Sequence, residues 1–112
     1  MMKIEEVRAA IANGTQISYT THCQERMIER NISRQDVSNA IMFGEIIEDY
    51  PLKEDNTSLE SLPACLILWV DVEKNGAIHV VIGYNGIRIL VVTAYKPDEK
   101  HWMPDLKTRG RD

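Results

Sequence analysis

A chain of 112 residues, 44% hydrophobic and 27% charged, has the size and composition of one folded domain and not of a disordered or fibrous segment. Its net charge of −4 is spread over both halves. That excludes the broad positive field needed for sequence-independent nucleic-acid binding, but it leaves room for a local basic patch. Cys23 and Cys65 are far apart and in no ligand-like spacing, residues 1–14 are charged and amphipathic, and no apolar run reaches membrane-spanning length. The expectation is a cytoplasmic protein with no disulfide framework, no cofactor and no membrane partner.

The first element is a helix over Lys3–Ala12, with Ile4, Val7 and Ile11 at helical spacing and Asn13-Gly14 as the stop. Gln16–Tyr19 is a short extended piece or a connector. Thr20 or Thr21 caps a second helix, His22–Arg30, which Asn31 ends. Ser33-Arg34-Gln35-Asp36 resembles a capping box with Asp in the place of Glu. The helix that follows carries Val37, Ala40 and Ile41 on its apolar stripe and closes at Gly44. So short a link makes the second and third helices a hairpin.

Glu45–Tyr50 reads as a strand ended by Pro51. Residues 52–62 are polar and acidic and read as a mobile loop. Cys65–Val72 and Ala77–Tyr84 are strands joined at Asn75-Gly76, and Ile87–Lys96 is the last strand. Asn85-Gly86 is a two-residue hairpin signal. Such a turn would pair Tyr84 with Ile87, Ile82 with Ile89, Val80 with Val91 and Ile78 with Thr93, an apolar face for the helices to cover. Residues 98–112 form a tail carrying Trp102, Lys107, Arg109 and Arg111.

Several residues have the chemistry for a site. His22, Arg26 and Arg30 recur at i, i+4 and i+8 and share one stripe of the second helix. Two guanidinium groups beside an imidazole can hold a phosphate and move a proton. They can equally pair with Glu25, Glu29, Asp36 or Glu48 and brace the helical hairpin. By alternation His79 faces away from the helices with Arg88 and Lys96, where basic groups suit a phosphodiester; a histidine simply hydrogen-bonded within the sheet is the other reading. Thr93 and Tyr95 are expected to face the helices, with Tyr95 anchoring the core rather than acting as a catalytic phenol. His22, His79, His101 and the two cysteines show no zinc-ligand spacing, so no metal is expected.

Thr21-His22-Cys23-Gln24-Glu25-Arg26-Met27-Ile28-Glu29-Arg30-Asn31-Ile32-Ser33 resembles the opening signature of a family of small prokaryotic proteins catalogued as a domain of unknown function. Gly44–Pro51, His79-Val80-Val81, Val92–Asp98 and Trp102 resemble its later segments. The joint pattern covers roughly positions 17 to 103, with the first helix outside it. The resemblance implies a neighbouring partner similar to a small zinc-finger antitoxin. It also implies a distant likeness to the RelE/ParE-like toxins, whose ribonuclease members cut messenger RNA. One departure is charge: RelE-type ribonucleases are usually basic.

The expectation is therefore a single α+β domain, with two or three N-terminal helices packed on a twisted antiparallel sheet of about four strands. The expected role is the toxin-like component of a toxin–antitoxin pair, a metal-independent endoribonuclease. His22 or His79 would move protons, and Arg26, Arg30, Arg88 and Lys96 would hold the RNA phosphate. The alternative is a non-catalytic protein-binding or regulatory module.

Overall fold

The structure, a computed structural model, describes residues 3–50, 63–71, 76–97 and 107. In chain order the elements are α1 (Ile4–Ala12), β1 (Ile17–Tyr19), α2 (Thr21–Glu29), α3 (Arg34–Phe43), β2 (Glu45–Tyr50), β3 (Ala64–Asp71), β4 (Gly76–Tyr84) and β5 (Ile89–Tyr95). Among the described residues, three helices cover one face of a five-stranded sheet of order β1-β5-β4-β3-β2, an α+β fold. None of these helices is long and apolar enough to cross a membrane. The loop expected over 52–62 and the tail residues Trp102, Arg109 and Arg111 lie outside the described residues.

Local chemistry sets the helix boundaries. The Thr20 hydroxyl accepts from the Cys23 N–H at 3.0 Å and starts α2. At its end Asn31 takes a left-handed φ of 56°, and the N–H groups of Asn31 and Ile32 return to the carbonyls of Ile28 and Met27 at 3.3 and 2.9 Å. This paired return satisfies two orphan carbonyls and brings Ile32 against Met27, both buried. Two residues later Ser33 and Asp36 bond each other's backbone N–H at 3.0 and 2.9 Å, a complete capping box for α3. α3 ends under Arg8 of α1, whose Nε and Nη2 donate to the carbonyls of Ile41 and Gly44 at 2.9 and 2.8 Å. A cation there satisfies helix-end acceptors and meets the negative end of the helix dipole.

The core lies between the helices and one face of the sheet. Val7, Cys23, Val37, Ile41, Ile67, Val80, Ile82, Ile89 and Val91 are fully buried in it. Each aliphatic side chain enclosed in this way stabilises the fold by about 1.5–3 kcal/mol before entropy is counted.

Two features of the sheet differ from the sequence-based expectation. The sheet is mixed because Ile17–Tyr19 is a strand: β1 pairs parallel to β5, Ile17 with Ile89 and Tyr19 with Val91. The β4–β5 hairpin is also wider than two residues, with Tyr84 opposite Ile89 and not Ile87. Residues Asn85–Arg88 form the turn. Gly86 takes φ of 93°, and the Asn85 side-chain oxygen accepts from the N–H groups of Ile87 and Arg88 at 2.9 and 2.8 Å. The side-chain bonds of Asn85 hold a four-residue turn that the Asn-Gly signal alone does not distinguish from a two-residue one.

Candidate functional site

β5 changes phase midway. Ile82 pairs with Val91 and Val81 with Thr93, which leaves Val92 as a bulge. Before it, Ile89 and Val91 point into the helical core; beyond it, Ala94 does. The extra residue turns Thr93 and Tyr95 to the opposite face: Val80 pairs with Ala94 on the core side, and His79 with Tyr95 on the other. Tyr95 was expected to face the helices and instead joins His79, because continuous alternation through a bulge gives the wrong face.

The resulting pair is close. His79 Nδ1 lies 3.2 Å from the Tyr95 hydroxyl oxygen, and the rings meet edge to face at 5.3 Å and 68°. His79 is fully buried and Tyr95 half-buried, beside the buried Leu66 and Leu68 of β3. The face carrying His79 is thus not open as expected. A low-dielectric setting strengthens the phenol–imidazole hydrogen bond. Its direction follows the tautomer: Nδ1 accepts from the hydroxyl when unprotonated and donates to it when protonated.

α2 runs along the outer edge of the same stretch. β1 pairs with β5 only as far as Val91. From there Thr20 takes over, with its N–H on the Val91 carbonyl and its hydroxyl on the Val92 carbonyl, both at 3.3 Å. Arg30 Nη1 donates to the Ala94 carbonyl at 2.8 Å. These bonds cap acceptors on a strand edge that would otherwise invite another strand. They tie both ends of α2 to β5, with Thr20 at Val91 and Val92 and Arg30 at Ala94.

The members of the stripe of His22, Arg26 and Arg30 have different positions. Arg30 is half-buried and ties the end of α2 to β5. Arg26 is exposed, pairs with Glu29 at 2.9 Å and sets its Nε 3.5 Å from His22 Nε2. His22 is exposed at the start of α2. Arg88 is exposed in the turn, seven residues and so about 20 Å along the strand from Tyr95, and the structure does not bring it to His79. Lys96 was expected on the His79 face. It instead leaves on the helix side, past the bulge's change of phase, and lines a cavity of about 260 Å³ with Asn31, Ile32, Trp69 and Ile78.

Both cysteines are buried thiols. Burial pushes the Cys65 thiol up to about 12, with the Asp49 carboxylate adding to it. Burial also raises Cys23, against a smaller downward pull from Arg30. The residue missed as a site member is Tyr95. A faint signal was present: Ile89–Val92 is apolar on both faces, and Thr93-Ala94-Tyr95 then resumes with its small apolar residue at the even position.

A family model described as a domain of unknown function (DUF4258) matches residues 19–96. The match runs from the end of β1 to the residue after β5, so the whole candidate site lies inside it, while α1 and Arg8 lie outside. Neither a curated protein nor a solved structure matches the chain.

Proposed function

The chain belongs to the DUF4258 family of domains of unknown function, and we propose that it is a toxin-like protein that cleaves RNA without a metal, through Tyr95 backed by His79. The observation that carries this reading is the bulge-built pair, a phenol 3.2 Å from an imidazole nitrogen, next in the chain to the Ala94 carbonyl that Arg30 holds. The resemblance to RelE/ParE-like toxins adds to it, by analogy.

The half-buried Tyr95 presents the pair to substrate, and the enclosed His79 acts through it. With Nδ1 unprotonated, Tyr95 passes its proton inward as its oxygen takes one from the RNA 2′-hydroxyl. With Nδ1 protonated, Tyr95 gives its proton to the leaving 5′-oxygen and is refilled by His79. The 2′-oxygen attacks the adjacent phosphorus, the bond to the 5′-oxygen breaks, and a 2′,3′-cyclic phosphate results. Arg26 and His22, on the same helix as Arg30, would hold phosphate charge, with Arg26 exchanging Glu29 for the substrate. The partner would be an antitoxin that occupies the same edge.

The test is expression with and without the neighbouring open reading frame, followed by incubation of the purified protein with RNA in chelator. Growth arrest and cleavage that are both lost in Tyr95→Phe and His79→Gln support the reading. A wild-type protein with neither activity overturns it. A second reading, a non-catalytic protein-binding module, is favoured by the commitment of Arg8 and Arg30 to backbone carbonyls and by the net charge of −4. Tight partner binding by a protein without nuclease activity or toxicity is its signature.

A further inference from the structure

The cavity beside Lys96 plays no part in the proton-transfer pair. It is walled by Trp69, Ile32 and Ile78, with the Asn31 amide and the Asp36 carboxylate also lining it. At about 260 Å³ it has room for one nucleobase and falls short of most drug-sized sites. Its chemistry is graded. Trp69 is half-buried, so the walls are aromatic and aliphatic on one side. Asp36, 7% exposed, makes the interior hostile to an anion, whereas Lys96 at the exposed rim attracts one. A ligand that fits this gradient has a neutral planar ring to place against Trp69 and an anionic group to leave at Lys96.

Position links the cavity to the candidate site. Lys96 follows Tyr95 directly, and consecutive Cα atoms are about 3.8 Å apart. The two side chains leave the end of β5 on opposite sides, Tyr95 towards His79 and Lys96 towards the cavity. A polynucleotide crossing this strand end has Tyr95 on one side of it and Lys96 on the other.

We propose that the cavity is a base-binding subsite: it takes one nucleobase of the RNA against Trp69 and pairs the adjoining phosphate with Lys96. This rests on the RNA-directed reading above and adds to it where the strand is gripped. Sequence-tolerant stacking of this kind supplies binding energy and register without taking part in the chemistry.

The experiment is a titration of the whole ¹⁵N-labelled protein with adenosine 5′-monophosphate, read by amide and indole shifts. Ribose 5-phosphate and inorganic phosphate are the comparison ligands. The expected result is saturable movement of the Trp69 indole and of the Gly76 and Ala77 amides with the nucleotide. Affinity should fall by about tenfold or more when the ring is absent or in Trp69→Leu, and by a smaller factor in Lys96→Gln. The rest of each variant's spectrum reports whether the fold is kept. Equal binding of inorganic phosphate, or shifts confined to another surface, overturns the subsite. Repeating the titration in His79→Gln separates the two proposals. The subsite predicts unchanged nucleotide binding in His79→Gln, and loss of binding there overturns it as a separate site. In the wild-type protein, nucleotide binding without RNA cleavage removes the nuclease reading and keeps the subsite, and cleavage without nucleotide binding removes the subsite alone.

Discussion

Gly44 joins α3 to β2 at a point with no room for a side chain. Its φ of −79° suits any residue, so its reason is space and not backbone freedom. A Cβ there would lie 2.5 Å from the Ala40 carbonyl oxygen, 2.6 Å from the Leu68 carbonyl oxygen and 2.7 Å from Ile67 Cγ2. Two of these neighbours are backbone, one in the last turn of α3 and one in β3, and neither can rotate away. Gly44→Ala must therefore push the helix end off the sheet and strain the bond from Arg8 to the Gly44 carbonyl. Overpacking of this kind costs about 1–3 kcal/mol, and backbone neighbours place it in the upper half of that range. For a domain of this size that is a fall in melting temperature of about 10 °C. Gly14→Ala is the control: its φ is 97° with nothing within 4 Å of the added carbon, so it reports the left-handed penalty alone, about 1–2 kcal/mol. Thermal melts of both variants decide the matter. A Gly44→Ala melting point equal to wild type, or above that of Gly14→Ala, refutes the close packing of α3 on β3.

Arg30→Ala removes a charged hydrogen bond to the Ala94 carbonyl and should destabilise by about 1.5–3 kcal/mol in urea titration. Arg26→Ala breaks an exposed pair with Glu29 and a long contact with His22, should change stability by less than about 0.5 kcal/mol, and is the cleaner test of phosphate holding in a cleavage assay. Gly86→Val places a β-branched residue at a φ of 93° and should cost about 1–3 kcal/mol, read as a lower melting midpoint. The raised Cys65 thiol has a pH signature. Folding favours its protonated form, so this contribution is fully present below the ordinary value of 9 and is lost as pH rises towards about 12. Alkylation of the native protein at pH 9 should accordingly run far slower than alkylation in denaturant, by mass spectrometry.

Much of this fold can be read in the chain because its signals are local. Ser33 and Asp36 cap α3 with their own side chains, Thr20 starts α2, and Asn31 ends it in the conformation asparagine tolerates best. The parts that could not be read depend on distant partners. Ile17–Tyr19 is too short to show a period and becomes a strand only because β5 lies beside it. The bulge at Val92 is hidden because Leu90 and Val92 are apolar on one face and Ile89 and Val91 on the other, so no polar residue marks the slip. That slip decides the geometry of the candidate site: alternation puts His79 on the face away from the helices, where it lies, but puts Tyr95 in the core, one residue out of phase. Arg30 was identified as site or brace, and its carbonyl partner lies 64 residues away, beyond the reach of helical spacing.

In the proposed reaction Tyr95 and His79 move the protons of an RNA cleavage in which the substrate supplies its own nucleophile. The direct measurement is end-group analysis of an RNA cut by the wild-type protein in chelator, beside the same RNA carrying one 2′-deoxy sugar at the cut position. The expected products are a 2′,3′-cyclic phosphate and a 5′-hydroxyl on the all-ribose strand, with no cut at the deoxy position. An uncut ribose strand, 5′-phosphate ends, or undiminished cleavage at the deoxy sugar would contradict the proposed reaction.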